Sequence, residues 1–246
     1  MIYGIPSYHR PQCKTYHMLR AVGVSENSIV IGLNDPNDYA EYAKRMPEAH
    51  IIVNKGNSAA FNRNRLIEEI NGECILLDDD ITKICRNISD PGKKYGQLVQ
   101  MNAPELDALF RNCFVVAKNI DAKIFGVSAT TNQMVIAQRV RSWGEYTPDV
   151  MIQGTITGIV DHTVRFNEKY LMVEDYEVSC RLISKNGHTL RRNDVCAVKP
   201  KNGTNEGGLH ERYANGEQRK WIDILCRDYG DIVKPNKEYT GVRIRL

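Results

Sequence analysis

Apolar residues in the first 82 positions fall into short unbroken runs, separated by stretches where they recur every three or four positions. The runs "MIYGIPSY", "SIVIGL", "HIIVN" and "CILLDDD" read as strands. Between them, "KTYHMLRAVG", "YAEYAKRM" and "SAAFNRNRLIEEING" carry the helical period, with Gly23 and Gly72 as stops. Ala60, Phe61, Leu66, Ile67 and Ile70 form the inner stripe of the last of these helices. Continuously apolar strands alternating with helices predict an α/β chain. Its sheet should be mostly parallel, Rossmann-like and flanked by helices on both faces.

From about residue 100 the pattern loosens. "APELDALFRNCFVVAKNI" and "EDYEVSCRLISKNG" predict helices, and "RKWIDILCRDYG" resumes one near the end. "KIFGVSA", "MIQGTITGIVD", "VRFNEKYLMV" and "TLRRNDVCAVKP" predict strands, and "KNGTNEGGLHERYANGEQ" is a polar, glycine-rich loop. No fixed-period repeat or low-complexity linker divides the chain, so one domain over residues 1–246 is expected, its second half the more irregular.

Composition changes this picture little. Hydrophobic residues make up 42% and charged residues 26%, ordinary for a soluble globular chain, and no apolar run approaches a membrane span. The start, "MIYGIPSYHRP", lacks the basic-then-apolar layout of a signal peptide, so a cytoplasmic protein without membrane contact is expected. Seven singly scattered cysteines without a CxxC argue against both a disulfide framework and a zinc knuckle. Charge is uneven: residues 1–82 carry 8 Lys and Arg against 11 Asp and Glu, and the remainder carries 25 against 19. The basic half suits either a polyanionic partner or an ordinary solvated surface.

The chemistry concentrates in "ECILLDDDITKI". If the strand runs through Asp78, Asp79 and Asp80, alternation puts Asp78 and Asp80 on one face and Asp79 on the other. Two carboxylates side by side at a strand's C-terminal end repel each other unless a cation lies between them. Oxygen-only ligands suit Mg²⁺ or Mn²⁺. The same residues also fit a polar turn or a helix cap. Arg63 and Arg65, on the preceding helix, fit either bidentate contact with a diphosphate or a solvated helix face.

The ordered set "IPSYHRP", "SIVIGL", "IIVNKGNSAAFNRNRLIEE" and "ILLDDDI" resembles the nucleotide-sugar half of a GT-A glycosyltransferase, with its DxD-type motif. More narrowly, it is similar to the TET/JBP-associated glycosyltransferases. These phage and kinetoplastid enzymes glycosylate hydroxymethylated pyrimidines in DNA. "KIFGVSATTN", "VEDYEVSCRLI" and "TNEGGLHERY" extend the similarity over nearly the whole chain.

The resemblance implies a GT-A fold with a nucleotide-sugar half at 1–100, an acceptor half at 101–246 and a lid loop at about 202–216. It implies a UDP-sugar donor, Mn²⁺ or Mg²⁺, and double-stranded DNA with modified pyrimidines as acceptor. If the chain is viral, it would act in the host cytoplasm. Asp78 and Asp80 match the metal-holding positions, with His210 where many such enzymes supply a third ligand. Asp79 falls nearest the sugar or its ribose. Pro6, Ser7 and Arg10 match the contacts to uracil and ribose, and Arg63 and Asn64 the helix beneath the diphosphate. Glu174 and Asp175 match an acidic pair near the acceptor, with Asp175 the first choice as general base; the pair equally fits helix-start acids that complement the dipole.

Acceptor signals are thinner. Arg139, Arg141, Trp143 and Tyr146 form a basic-aromatic stretch suited to phosphate contact and stacking, or to packing a loop on the core. Arg191, Arg192, Lys199 and Lys201 form a second basic group. Three functions stay open on the sequence. The first is a DNA-modifying glycosyltransferase. The second is a GT-A enzyme with a protein, lipid or glycan acceptor, or a related nucleotidyltransferase. The third is a non-catalytic nucleic-acid-binding module.

Overall fold

The computed structural model describes residues 1–56, 58–185, 187–200, 207–236 and 241–244. The alternation in the first part of the chain becomes strands β1 (Ile2–Ser7), β2 (Ile29–Leu33), β3 (His50–Val53) and β4 (Cys74–Leu77). Helices α1 (Lys14–Ala21), α2 (Tyr39–Arg45) and α3 (Ala59–Glu69) lie between them. Every residue of β2 and β4 is buried, as unbroken apolar runs require. Gly23, at φ 96°, follows α1 in a conformation that suits glycine, and the Ser58 hydroxyl accepts from the Phe61 N–H to start α3.

The remaining elements are β5 (Lys83–Asp90), β6 (Lys93–Gln100), α4 (Ala103–Asn119), β7 (Ala122–Ser128), α5 (Gln133–Trp143), β8 (Tyr146–Pro148) and β9 (Ile156–Ile159). They are followed by α6 (Glu174–Ser184), β10 (His188–Val198), α7 (His210–Ala214), α8 (Glu217–Asp228), β11 (Val233–Pro235) and β12 (Val242–Ile244). A reciprocal capping box between Asn102 and Glu105 opens α4.

The main sheet runs in the order β3-β2-β1-β4-β9-β7-β10-β5-β6, with β8 beside β10. The first four strands are parallel, β9 enters antiparallel to both β4 and β7, and β7 and β10 are parallel again. A hairpin of β5 and β6 completes it. The expected mostly parallel sheet is therefore a parallel core inside a mixed sheet. The main core packs α1, α2 and α4 on one face, with Phe110, Phe114 and Phe125 at its centre. A second core packs α3 and α6 on the other face, around Leu66, Ile124 and Phe166. The architecture is α/β with three layers, and no helix among the described residues is long and apolar enough to cross a membrane. All seven cysteines are free thiols, six of them buried.

Two expected elements differ. "VRFNEKYLMV" forms no strand: the Asn64 carboxamide accepts from the Phe166 N–H at 2.7 Å and donates to its carbonyl at 2.9 Å. A side chain thus satisfies the backbone groups that a neighbouring strand would have taken. "CILLDDD" stops being strand at Leu77, and the three aspartates form a turn. The expected alternation of their side chains therefore does not apply.

Within the sheet, β10 carries a buried charge cluster. Both Arg192 and Arg86 donate to Asp194, Arg86 Nε at 2.7 Å, and Arg192 is only 3% exposed. Burial alone would raise the Asp194 carboxyl, but the two guanidinium groups hold it below its ordinary value. A depressed folded-state pKa contributes stability above the unfolded value that is lost as pH falls through the folded one. Asp194→Asn is expected to cost roughly 3 kcal/mol at neutral pH, and to flatten the acid limb of stability below about pH 4. Urea unfolding across a pH series measures both; an acid limb unchanged in the variant would exclude Asp194 as its source.

Candidate functional site

In open α/β sheets, ligands bind where neighbouring strands connect in opposite directions. Here β1 is that point: the chain steps outward from it through β2 to β3, then returns to β4 on its other side. A cleft of about 510 Å³ opens there, over the C-terminal ends of β1, β2 and β4. That volume is in the range of small-molecule sites. Its lining includes Pro6, Ser7, Arg10, Arg63, Asp78, Asp79, Asp80, Glu174 and Asp175, residues spread across most of the chain.

The floor is built from the aspartate turn. Thr15, on α1, locks it: its hydroxyl donates to the Asp78 carbonyl at 2.5 Å and accepts from the Ile81 N–H at 2.9 Å. The three carboxylates then part ways. Asp79 points into the floor, 6% exposed, where it accepts from Ser7 Oγ at 2.6 Å and Arg10 Nη1 at 2.9 Å. Tyr42 extends this group through contacts with Ser7 Oγ and the Arg10 N–H. Burial pushes the Asp79 carboxyl up to about 6, even with Arg10 and Ser7 opposing. Asp80 lies 3.6 Å from the same Arg10 guanidinium. Asp78 faces elsewhere, accepting from Arg63 Nη2 at 2.9 Å and Lys199 Nζ at 2.7 Å. Burial would raise its pKa, but Lys199 and Arg63 hold it below the ordinary value.

Arg63 ties the wall to this floor. Within α3, residues 62 to 64 are all buried while Arg65 is exposed and paired with Glu68. Of the two arginines, Arg65 is the solvated one. Arg63 Nη1 donates to the Gly154 carbonyl at 3.1 Å, Nε lies 3.4 Å from Glu174 Oε1, and the guanidinium stacks over Phe166. Gly154 is required: a Cβ there would sit 2.9 Å from Arg63 Nη2 and 3.1 Å from Asp175 Cβ. The Gly154 N–H in turn donates to Asp175 Oδ2 at 2.7 Å.

Val173, immediately before this acidic pair, has φ 56°. A β-branched residue in the left-handed region is strained, and such strain gathers at functional sites. Asp175 spends both oxygens on backbone N–H groups, those of Gly154 and Tyr176. Glu174 is pushed well above the usual carboxylate range, first by burial and then by Asp175.

Some expected residues fall elsewhere. Asn64 turns from the cleft to hold Phe166 and Glu168. His210 begins α7, whose Glu211, Arg212 and Tyr213 line the cleft while His210 does not. The backbone before it rests on β1's extension, with the Gly208 N–H on the Tyr8 carbonyl and Arg10 Nη2 on the Gly207 carbonyl. Lys201, Gly203 and the first part of the 202–216 loop lie outside the described residues. Sequence reasoning missed Thr15, Tyr42, Gly154 and Val173. A small hydroxyl at the start of α1 and a glycine expected inside a strand, which in fact begins at Ile156, carry no chemistry until the fold juxtaposes them.

Among the described residues, the lining carries six carboxylates and four basic side chains. No three His, Cys, Asp or Glu side chains there form a metal cage. Surplus negative charge and oxygen-only donors fit Mg²⁺ or Mn²⁺ in the mode that uses one or two carboxylates with waters and phosphate oxygens. No protein-family model matches the chain, and no curated protein matches it in sequence.

Removing Arg63 leaves Glu174 buried without its nearest cation. Arg63→Met should therefore lower stability by about 3–5 kcal/mol, read by urea unfolding. A loss under about 1 kcal/mol would mean that the cross-tie contributes no more than a surface pair.

Proposed function

We propose that this protein is a GT-A-type glycosyltransferase that moves a sugar from a UDP-sugar to the hydroxyl of a 5-hydroxymethylpyrimidine in DNA. One observation carries the reading. The cleft at the β1 switch point joins the end of β1, the aspartate turn, Arg63 of α3 and the acidic start of α6 into one charged surface. Those are the segments on which the sequence resembles the family.

Asp78 and Asp80 are the residues that would hold Mn²⁺ or Mg²⁺. An ion held there would neutralise charge on a departing diphosphate. The chain supplies further cations for the same charge in Arg10, Arg63 and Lys199, fixed in place before the donor arrives. Pro6 and Ser7 offer the surface for the nucleoside, while Asp79 orients Ser7 and Arg10 from below.

In the transfer, the acceptor oxygen bonds to the anomeric carbon as the bond from that carbon to the diphosphate oxygen breaks. UDP departs, and the acceptor proton passes to a carboxylate. The sequence ranks Asp175 first for that role, but both of its oxygens already take backbone N–H groups. Glu174 is the better base: its raised affinity for protons matches the task at neutral pH. Asp175 then fixes the turn that aims Arg63.

The test is to incubate the protein with Mn²⁺, a panel of UDP-sugars and duplexes containing 5-hydroxymethyluracil or 5-hydroxymethylcytosine, followed by nucleoside mass spectrometry. A hexose-type mass gain is the expected result. UDP-sugar hydrolysis without transfer would move the acceptor to another class, and absence of UDP binding would leave only a binding module. Asp80→Ala should abolish metal-dependent UDP binding with the fold intact; retained binding would remove Asp80 from the metal site. Glu174→Gln should lower turnover about 100-fold or more with UDP affinity kept.

A further inference from the structure

Among the described residues, the buried and half-buried basic side chains of β10 and of the elements packed on it fall into two groups, those paired with acids and those not. Arg192 and Arg86 share Asp194 and Glu145, and Lys199 holds Asp78. Arg139 and Arg191 have no carboxylate within ion-pair distance among the described residues. Arg139 Nη1 donates to Ser128 Oγ at 3.0 Å, and Arg191 Nε donates to Asn193 Oδ1 at 3.0 Å. A guanidinium carries five N–H donors, so most on each side chain are left for something else.

These two arginines are neighbours through β7. Arg191 sits opposite Gly126 in the β10–β7 register, and Arg139 reaches from α5 to Ser128, two residues further along the same strand. Both are half-buried. Burial lowers the pKa of each, and for Arg191 the charge of Arg139 lowers it further, to about 10. Two like charges held together in a partly desolvated place, with no acid between them, cost stability that an anion would recover. Neither arginine lines the cleft at the β1 switch point.

We propose that Arg139, anchored by Ser128, and Arg191 form a second anion site, which holds a backbone phosphate of a nucleic-acid strand. It rests on the reading of the acceptor as DNA, and adds where the strand is gripped. The choice of nucleic acid over a lone phosphate comes from α5 itself. Trp143 stands one turn beyond Arg139, at the i,i+4 position that shares its helix face, and is 61% exposed. An exposed indole beside a phosphate grip is the combination that binds a strand by backbone charge and base stacking together. Arg141, exposed on the same helix and two residues from Arg139, lies off that face and serves as the control.

Fluorescence anisotropy of a short fluorescein-labelled duplex, titrated with the full chain across a salt series, tests the site. Arg139→Gln and Arg191→Gln should each weaken binding about tenfold and each reduce the slope of log affinity on log salt by about 1. Arg141→Gln should change affinity less than about twofold. Melting temperatures of the two variants should not fall, because each loses a charge that has no acid partner. An unchanged affinity and salt slope in the double variant overturns the site.

Should the double variant fail to fold, the unaltered protein still decides. Oligonucleotide must quench its tryptophan fluorescence, with the quench lost in Trp143→Tyr; no quench overturns the proposal. Inorganic phosphate that raises the melting temperature without any oligonucleotide binding assigns the site to free phosphate and overturns the nucleic-acid assignment. UDP binding by the unaltered protein is measured in parallel. UDP binding without oligonucleotide binding sinks this inference alone, whereas loss of both sinks the glycosyltransferase reading with it.

Discussion

The organisation of this molecule depends on one buried guanidinium. Arg63 reaches from α3 to the aspartate turn, to the carbonyl of Gly154 and to Glu174 at the start of α6. Those three segments are far apart in sequence and belong to both halves of the chain. A buried arginine is costly to desolvate and needs acids and acceptors around it; here Nη1 and Nη2 donate to Gly154 and Asp78, while Nε faces Glu174 at 3.4 Å as an ion pair only. That requirement fixes the positions of its partners as firmly as it fixes Arg63. The glycine at 154 and the strained backbone at Val173 follow from it: one clears space for the guanidinium, the other begins α6 where Glu174 reaches it.

The aspartate cluster shows how charge is carried in such a place. Each of Asp78 and Asp79 is countered by side chains of the protein, Asp78 by Arg63 and Lys199, Asp79 by Arg10 with a hydroxyl from Ser7. The cleft is therefore stable as built, yet acids still outnumber bases along its lining. Thr15 holds the turn by main-chain groups, so the conformation of the backbone does not depend on the pairing of the three carboxylates.

Much of this was legible in the sequence where a single element carried the signal. β1 to β4, α1 and α3 follow from apolar runs and helical periods, and ten of the residues marked as chemistry-bearing do meet in one cleft. What escaped was set by partners distant in sequence. The strand expected around Phe166 is absent because Asn64, about a hundred residues earlier, takes its backbone hydrogen bonds. The alternation of Asp78, Asp79 and Asp80 fails because Leu77 ends the strand, and a Thr15 clamp is invisible to any local window. Arg63 and Arg65 look alike in sequence, and only tertiary packing decides that one is buried and the other solvated.

The long sheet has a last consequence, for how molecules of this protein meet each other. A row of strands that does not close leaves unpaired backbone groups on the strands at its two ends, and another chain can add to either. At one border β3 is only four residues long, which gives a visitor little to pair with. At the other, β6 is twice that length, but it opens with the exposed Lys93 and Lys94 and is distorted at Gly96, whose φ is 79°. Shortness protects one border; charge and a local kink protect the other. The hairpin that extends the sheet beyond β10 thus also keeps it from continuing into a neighbour.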